Sequence, residues 1–357
     1  MEYGAIDLHK KESQIRIVTE TGEIIDQRVA TTRDRLSHVF WGRPPMRILI
    51  EASTESEWVA QHLEQLGHEV VVADPNYAPM YGQRSRRIKT DRRDVAALVE
   101  ACQHGTYRRA HRRSAAQRRV QERLNVRAEL TQSRTRAICM ARAMTRAAGL
   151  RIRSGQAETF VTRLAALDLP ESLQTTLVPL RHVIELLDDE LAAADAQIAA
   201  TVMADPAVKR LTTLPGIGPI TASAFVAALD VTSRFEDAGQ VTSYLGLVPR
   251  ERSSGETQRR GRVLRSAHPG VQSLLVQAAV RITRLSDPRT AQLRKWAQMI
   301  ARRRGKKIAM VALARRLART LFAMWRDQTN YEPNRIGVRQ PNLTSRPPAD
   351  VNRTALA

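Results

Sequence analysis

The chain has few aromatic residues, few cysteines and no long apolar run. Aromatic side chains make up 4% of the 357 residues, which argues against a single-strand binder built from stacked aromatic platforms. The two cysteines, Cys102 and Cys139, have neither metal-ligand spacing nor the number needed for a disulfide framework. No stretch approaches the roughly 18 apolar residues of a membrane helix, and the short, acidic N-terminus does not resemble a signal peptide. These absences predict a cytoplasmic protein without membrane attachment.

Lysine is also scarce, although the chain is strongly basic. Only seven of the 57 cationic residues are lysines, and the formal net charge is +21. A high-GC genome explains the choice of arginine over lysine but not the surplus of positive charge. Such a surplus repels itself unless an anionic partner is nearby, and nucleic acid is the commonest such partner. The composition therefore predicts a nucleic-acid-binding protein with room for two or three domains.

Residues 1–113 have the pattern of an α/β domain. Short apolar or alternating segments separated by turn residues predict strands, and longer amphipathic segments predict helices. The predicted elements are three antiparallel strands (3–8, 13–20 and the segment after Thr21-Gly22-Glu23), a helix (31–41), a strand (46–52), a helix (54–66), a strand (68–74) and a helix (91–104) capped by Thr90. This is the element order of an RNase H-like domain.

Residues 114–205 are predicted to be helical. Residues 115–148 are rich in arginine and contain neither glycine nor proline. A heptad seam follows, which we predict to begin at Pro179, because proline is tolerated in a first helical turn. An intramolecular hairpin and a dimerising coiled coil both fit this seam, and we expect a hairpin that also contributes to assembly. The seam residues are Leu173, Leu177, Leu180, Ile184, Leu187, Leu191, Ala194 and Ile198.

Residues 206–330 are predicted to form a second, mainly helical domain, followed by a polar, proline-containing tail (331–357) that is predicted to be disordered. In LTTLPGIGPITASAFVAAL, Gly216 and Gly218 allow a tight turn between two helices. Free backbone N–H groups at the start of the second helix suit a phosphate. The segment predicts a helix-hairpin-helix that binds a nucleic-acid backbone without reading its sequence. An ordinary helical turn is the alternative.

Four acidic residues are candidates for a metal site. Asp7 and Glu51 lie in apolar strands, where an unpaired carboxylate is costly to bury. Asp91 and Asp94 are three residues apart and share one face of a helix. In an RNase H-like sheet the first and fourth strands are neighbours, so these carboxylates would converge. A divalent cation would offset their repulsion, and oxygen ligands suit Mg²⁺ or Mn²⁺. Alternatively, Asp91 and Asp94 simply neutralise the surrounding arginines.

The stretch PRERSSGETQRRGRVLR (249–265) contains a serine pair, a glycine and many cations. Taken alone, it predicts a loop. A serine hydroxyl is a weak nucleophile until a base or a metal activates it. Beside Mg²⁺ such a hydroxyl could attack a phosphodiester, with Arg250, Arg252 or Arg259 neutralising the developing charge.

Taken in order, several motifs resemble one known family. They are GAIDLHK, LIEAS, KTDRRDVAAL, LPGIGPITASAFVAAL, FEDAGQVTSYLGLVPRERSSGETQRRG and GKKIAMVALARRLARTLFAMWRD. This ordered set resembles the DEDD-type transposases of the insertion-sequence one-ten family, relatives of the Piv DNA invertases. The resemblance extends from residue 3 to about residue 331. It implies a bridge-RNA-guided recombinase with a RuvC-like domain (1–113), a coiled-coil connector (114–205) and a C-terminal transposase domain (206–330).

The resemblance also implies a composite active site. Asp7, Glu51, Asp91 and Asp94 would be the metal ligands, and Ser254, with Ser253 as the adjacent alternative, would form a phosphoserine link to DNA. Such a link conserves bond energy, so rejoining would need no ATP. The arginines around Asp91 and Asp94 are then expected to face nucleic acid. The predicted nucleic-acid-binding residues are Arg84, Arg86, Arg87, Lys89, Arg92, Arg93, Gly216, Gly218, Arg250, Arg252, Arg259 and Arg260.

One segment departs from the family pattern. Many members carry a Lys-x-Gly-Asn/His run followed by Leu-Arg, where this chain reads RSAHPGVQSLLV (265–276). Arg265 stands in place of that lysine, and Pro269 is expected to alter the local helix start. We transfer no role to this segment.

The resemblance further implies three partners: DNA (element ends and target), a non-coding guide RNA, and further copies of this chain in a dimer or tetramer. Two alternatives stay open. One is a RuvC-type nuclease that uses water instead of serine, and the other is a decayed transposase that only binds nucleic acid.

Overall fold

The computed structural model describes residues 1–81, 91–254, 257–263 and 268–333, with only the backbone described at 250–254 and 257–263. Four of the predicted nucleic-acid contacts (Arg84, Arg86, Arg87 and Lys89), the Thr90 cap, Arg265 and most of the tail lie outside these residues. The chain divides into two compact units, Met1–Arg113 and the part from Ser114 onward. The finer division at residue 205 stays a prediction.

The N-terminal unit is built on a mixed sheet. Its strand order is β3-β2-β1-β4-β5, with β1 antiparallel to β2 and parallel to β4. The predicted meander and the predicted adjacency of the first and fourth strands are confirmed. The strands are β1 (Tyr3–Asp7), β2 (Glu12–Val18), β3 (Ile24–Ala30), β4 (Arg47–Glu51) and β5 (Glu69–Ala73).

Helices cover both faces of this sheet. Alternate residues of a strand point to opposite faces, so Ile6 and Ile50 join one apolar core while Ala5 and Leu49 join another. The first core is completed by α1 (Arg33–Phe40) and α2 (Ser56–Gln65), and the second by α3 (Asp91–His104). Burial on both faces explains why β4 is an almost continuous apolar run.

The C-terminal unit begins with a long helical hairpin made of α4 (Ala115–Ala147) and α6 (Glu171–Val202), with the short α5 (Phe160–Ala165) between them. Arg127 pairs with Asp195, and Arg134 pairs with Asp188, so the two long helices run antiparallel. Every seventh residue along α6 is buried, namely Leu177, Ile184, Leu191 and Ile198. The intramolecular hairpin is therefore confirmed, and its role in assembly stays a prediction.

The predicted start of this helix was wrong. Helix α6 begins at Glu171, and Pro179 lies inside it. A proline inside a helix removes one backbone hydrogen bond and crowds the preceding turn. Pro179 is exposed, on the side away from the buried stripe. Packing of the stripe against α4 thus overrides the local preference of proline for a helix start.

Within the described residues, six further α-helices of the C-terminal unit pack around one core. Helix α8 is buried over residues 221–229, as expected for a helix that is apolar on all sides. Helix α10 begins at Pro269, a position that proline favours. The mainly helical character of this region is confirmed. The helices are α7 (Pro206–Thr212), α8 (Pro219–Leu229), α9 (Ala238–Tyr244), α10 (Pro269–Arg284), α11 (Ala291–Arg304) and α12 (Lys306–Arg326). No helix within the described ranges is long and apolar enough to cross a bilayer.

The described part of the serine-containing stretch forms two antiparallel strands, called the β6–β7 hairpin below, so the predicted loop was wrong there. Strands β6 (Pro249–Ser254) and β7 (Thr257–Val263) are antiparallel, and Ser254 is opposite Thr257. The sequence PRERSS has no alternation of apolar and polar residues, so the usual periodic signal of a strand is absent.

Candidate functional site

Two of the predicted acids end neighbouring parallel strands. Asp7 is the last residue of β1, and Glu51 is the last residue of β4. Ile6 lies opposite Ile50 in the register, so the strands terminate side by side at one edge of the sheet. The apolar strands fix these positions because their side chains pack into the two cores on either face.

The other two acids come from the first turn of α3. Asp91 and Asp94 are three residues apart on this helix, which places them on one face. Asp94 is buried, with 6% of the residue exposed, whereas 52% of the Asp91 side chain is exposed. Negative charge in a first turn is favoured by the helix dipole. The helix therefore presents one buried and one accessible carboxylate.

The four carboxylates interact electrostatically at Asp7. Burial raises the pKa of the Asp7 carboxyl, and this effect is opposed by the nearby His9 and reinforced by repulsion from Glu51, Asp94 and Asp91. Residues separated by 84 and 87 positions from Asp7 therefore act on it directly. The structure brings the four predicted acids together in the N-terminal unit.

His9 also belongs to this cluster, and sequence reasoning missed it. Its Nε2 lies 3.5 Å from Asp7 Oδ2 and 3.7 Å from Asp91 Oδ1. One potential ligand atom from each of these three residues lies within 4.8 Å of the others. The available signal was the position of His9 two residues after Asp7, since imidazole is a common metal ligand.

Tyr81 orients one of the carboxylates. Its hydroxyl donates a hydrogen bond to Glu51 Oε1 at 2.5 Å. Tyr81 ends a short 3₁₀ helix (Ala78–Tyr81) after β5, so the contact joins residues that are 30 positions apart. No sequence motif marks it, and the residue was missed.

The ion-pair alternative for Asp91 is not supported among the described residues. Arg92 donates its Nε to Asp26 Oδ2 at 2.9 Å, and Arg16 makes two further hydrogen bonds to the same carboxylate. Arg92, which follows Asp91 in sequence, therefore neutralises Asp26 of β3 instead of Asp91. Asp91 instead pairs with His9. Arg93 is exposed.

The donor set fits a divalent cation. Carboxylate oxygens are the ligands that Mg²⁺ and similar hard cations prefer. Burial, reinforced by repulsion from the other carboxylates, raises the pKa of Asp7, and a cation among these groups would relieve that repulsion. The cluster is thus a possible acidic metal site.

The two glycines between α7 and α8 have different surroundings. Gly216 has a φ of +97°, and a Cβ built on it would lie 2.5 Å from Ile282 Cγ1. A side chain is therefore excluded by backbone conformation and by packing against α10. Gly218 is the N-cap of α8 with a φ of −94°, and a Cβ built there would meet nothing within 4 Å. Phosphate binding at this helix start stays a prediction.

The predicted serine and its arginines lie on the β6–β7 hairpin. Ser254 is the last residue of β6, and Ser253 precedes it opposite Gln258. Arg252 lies opposite Arg259, and Arg260 lies opposite Glu251. Arg250 also belongs to β6. The hairpin thus gathers the candidate nucleophile and four candidate cations in one short element of the C-terminal unit.

Comparison with known proteins gives two family matches and several relatives. Residues 5–147 match the IS110-type DEDD transposase model, and residues 208–295 match the model described as the transposase IS116/IS110/IS902 family. A probable family 20 transposase of Pseudomonas aeruginosa is 30% identical over 92% of this chain and 98% of its own length.

Two insertion-sequence transposases are also similar over most of their length. That of element IS1111A from Coxiella burnetii is 25% identical over 91% of this chain and 90% of its own length. That of element IS1328 from Yersinia enterocolitica is 25% identical over 89% of this chain and 95% of its own length. Such relatives support a DNA-processing enzyme, and a DEDD family suggests the use of a divalent metal. The chain therefore belongs to the IS116/IS110/IS902 family of insertion-sequence transposases.

Proposed function

We propose that this transposase cuts and rejoins DNA strands through a serine nucleophile and a divalent metal site made of Asp7, Glu51, Asp91 and Asp94. The observation that carries the proposal is geometric: Asp7 and Glu51 end neighbouring parallel strands, and ligand atoms of Asp7, His9 and Asp91 lie within 4.8 Å of one another. Asp94 and Glu51 also repel the Asp7 carboxylate. Structural acids scattered over an Arg-rich surface would pair with arginines, as Asp26 does. These four instead gather at the end of two parallel strands.

The sheet topology supports an RNase H-like, RuvC-like assignment for the N-terminal unit. Its strand order is β3-β2-β1-β4-β5, and only the first three strands form an antiparallel meander. This order puts the first and fourth strands side by side, so their terminal acids can share one cation. The unit would then serve as the metal-binding half of a nucleic-acid-processing enzyme.

Mg²⁺ or Mn²⁺ is the ion that we assign to the carboxylates. When bound, such an ion would stabilise negative charge on phosphate oxygens during phosphoryl transfer. Asp7, anchored at the end of a buried strand, and the buried Asp94 are the rigid ligands. Tyr81 holds the orientation of Glu51, and the more exposed Asp91 lies on the solvent side.

Ser254 is the proposed nucleophile. Its Oγ forms a bond to phosphorus while the bond between phosphorus and the 3′ oxygen breaks. The serine proton passes to solvent, and the departing 3′ oxygen takes up a proton. A 3′ hydroxyl can later reverse this exchange and release the serine, so no external energy source is required. Arg250, Arg252, Arg259 and Arg260 on the same hairpin would neutralise charge on the phosphate.

A guide RNA encoded by the element and assembly into a dimer or tetramer complete the proposal. The family resemblance motivates both. The surplus of 21 positive charges supports binding of nucleic acid. Sequencing the RNA that copurifies with the protein tests the guide. One dominant structured RNA supports it, and random cellular fragments contradict it.

A covalent adduct tests the chemistry. End-labelled element DNA is incubated with the protein and Mg²⁺ and separated on a denaturing gel. We expect a protein–DNA adduct that Ser254→Ala abolishes and that Ser253→Ala, the matched control, retains. Asp7→Asn should abolish the adduct while leaving RNA binding intact.

Other results would identify a different activity. Cut ends without any adduct would indicate a nuclease that uses water. Binding without cleavage would indicate a decayed transposase. An adduct that survives Asp7→Asn would contradict the metal assignment.

A further inference from the structure

A cleft of about 530 Å³ lies at the C-terminal end of α4. It is lined by Cys139, Arg142 and Arg146 from the helix and by Arg151, Ile152 and Ser154 from the segment that follows. Half of these residues are arginines, and none is acidic. The volume is within the roughly 300–1,000 Å³ range of ligand pockets, so the cleft can accommodate a fragment the size of a nucleotide.

The end of α4 shapes this cleft through a defined chain reversal. Leu150 N–H donates to Thr145 O at 2.9 Å, and Gly149 N–H donates to Arg146 O at 3.0 Å. These two bonds form a Schellman motif, in which the residue after the cap adopts the left-handed conformation. Gly149 has a φ of +79°, which glycine tolerates without strain. The reversal places the segment from residue 151 onward beside the last two turns of the helix.

The following segment is held in place by Arg163 of α5. The guanidinium of Arg163 donates to the carbonyl oxygens of Arg153 and Gln156, and its Nε donates to Thr159 O at 3.1 Å. A Cβ on Gly155 would lie 2.8 Å from Arg163 Cζ, so glycine permits this close approach. The wall of the cleft is therefore fixed by several hydrogen bonds instead of being a free loop.

Arg142 is fixed by an aromatic ring. Its guanidinium carbon lies 5.5 Å from the ring centroid of Phe160, a cation–π distance. Phe160 is fully buried in the core of the hairpin. A cation that is already ordered loses less conformational freedom when it binds an anion.

The arginines of the cleft differ from three other arginines of α4 in their charge partners. Arg127, Arg134 and Arg136 each form an ion pair with a carboxylate. Arg142, Arg146 and Arg151 form none with the described part of the chain. Arg146 donates its Nε to Arg142 O at 3.2 Å, which satisfies one donor but leaves the charge unneutralised. Three like charges around one cleft repel each other unless an anion lies between them.

We propose that this cleft binds the phosphodiester backbone of a nucleic acid. Guanidinium groups present paired N–H donors that match phosphate oxygens, and Ser154 adds a hydroxyl donor. The proposal deepens the proposed function, because it rests on the chain being a nucleic-acid-processing protein. It assigns a nucleic-acid contact to the hairpin, in addition to the hairpin's predicted role in assembly. DNA and RNA share this backbone chemistry, and the experiment separates them.

Cys139 provides a direct reporter. It is exposed and lines the cleft, whereas the other cysteine, Cys102, is buried. The rate of Cys139 alkylation by a maleimide is measured on the full chain, alone and with saturating amounts of three probes. The probes are a 30-nucleotide RNA hairpin, a duplex DNA of the same sequence, and inorganic phosphate. Saturation is verified by fluorescence anisotropy.

We expect at least one nucleic acid to slow alkylation about fivefold or more, and the probe that protects identifies the source as RNA or DNA. The triple variant Arg142→Gln, Arg146→Gln, Arg151→Gln should lose this protection and bind about tenfold more weakly. The slope of log affinity against log salt concentration should become shallower by about 1 to 2 in this variant, as expected for the loss of one or two phosphate contacts. Arg151→Gln alone changes an exposed residue outside any helix, and it should give a partial loss if the triple variant fails to fold.

The matched control removes the same charge elsewhere. Arg302, Arg303 and Arg304 are exposed at the end of α11, and their triple change to glutamine should leave Cys139 protection at saturation intact. The proposal would be overturned if neither nucleic acid, when bound, slowed alkylation of Cys139. It would also be overturned if both triple variants lost this protection to the same extent. Protection without any DNA cleavage would leave the cleft assigned and contradict only the proposed chemistry.

Discussion

Arg92 directs its guanidinium to Asp26 on β3, with 2.9 Å between Arg92 Nε and Asp26 Oδ2, although Asp91 is its immediate neighbour in sequence. Asp26 also accepts two hydrogen bonds from Arg16, at 2.6 and 2.7 Å. The two arginines hold the pKa of Asp26 below its usual range, with the Arg16 hydrogen bond as the largest cause. Arg92 is thereby anchored to a different acid, and among the described residues Asp91 pairs with His9 instead.

Stability should therefore depend on pH through Asp26. A carboxyl whose folded pKa is lowered stabilises the fold above its unfolded pKa of about 3.9, and this stabilisation is lost as the pH falls through the folded pKa. We expect Asp26→Asn to lower the free energy of unfolding by about 1.5 kcal/mol at pH 7. The difference from the unchanged protein should shrink below about pH 4.

Urea unfolding at pH 7, 5 and 3 measures this difference. Glu23→Gln, an exposed change in the turn before β3, is the control and should have little effect at any pH. A difference for Asp26→Asn that is the same at all three pH values would contradict the ion-pair account.

Replacement of Asp7 should weaken metal binding while stabilising the metal-free fold. The Asp7 carboxylate is half-buried and repelled by three other acids, so Asp7→Asn is expected to raise the melting temperature in EDTA. Mg²⁺ should raise the melting temperature of the unchanged protein and leave that of the variant unchanged. Calorimetric titration should show a loss of affinity greater than the roughly 10–100-fold effect of an outer-shell residue. A variant that is less stable in EDTA, or that binds Mg²⁺ normally, would contradict this assignment.

His9 should influence which metal the cluster prefers. Its Nε2 lies within 3.7 Å of oxygens from both Asp7 and Asp91. Imidazole nitrogen favours Co²⁺ and Ni²⁺ over Mg²⁺. We expect His9→Ala to lower Co²⁺ affinity about tenfold, to change Mg²⁺ affinity by about twofold at most, and to alter the visible spectrum of bound Co²⁺. His38→Ala, an exposed histidine on α1, is the matched control. Equal losses for both metals would show that His9 is not a ligand.

Tyr81 should act on metal affinity through Glu51. Tyr81→Phe removes the hydroxyl that donates to Glu51 Oε1 but keeps the ring, so the fold should be preserved. The expected loss of Mg²⁺ affinity is about tenfold, as for other groups that orient a ligand. Tyr107→Phe, which alters a partly buried tyrosine beside the same core, should leave Mg²⁺ affinity unchanged. If both variants bind Mg²⁺ normally, the hydrogen bond has no role in ligand orientation.

Much of the N-terminal unit could be predicted from local pattern. Strands such as Glu12–Val18 alternate between buried and less buried residues, and helices begin at caps and acidic first turns. The convergence of Asp7 with Glu51 required one further inference, namely that the first and fourth strands are neighbours. Tyr81 could not be found in this way, because its contact depends on how a 3₁₀ turn meets the Glu51 carboxylate. His9 was marked only by its position two residues after Asp7, and its approach to Asp91 depends on where the start of α3 lies.

Other parts could not be predicted because tertiary packing or backbone pairing decided them. Pro179 suggested a helix start, but the buried stripe on α6 begins before it. The strand that ends at Ser254 has no apolar alternation, so backbone pairing with β7 is its only regular signature. The cleft at Arg142 depends on a reversal at Gly149, which local sequence marks only as a helix end.

The two glycines before α8 should respond differently to alanine. Gly216→Ala would combine a positive φ with a 2.5 Å approach to Ile282, so we expect a loss of about 3 kcal/mol in the free energy of unfolding. Gly218→Ala meets open space and should change stability by less than about 1 kcal/mol. Thermal unfolding of the two variants measures this contrast. Equal losses of stability in the two variants would show that the packing of Gly216 against Ile282 does not determine the conformation of the turn.

The seven-residue repeat of buried positions on α6 has a mechanical consequence. A helix of 32 residues is about 48 Å long, longer than one turn of duplex DNA at about 34 Å. Because the hairpin's inner face recurs every seven positions, deleting one repeat from each arm would shorten the hairpin by about 10 Å and rotate its surface by only about 20°. The hairpin therefore acts as a spacer whose length can be changed in steps of seven residues.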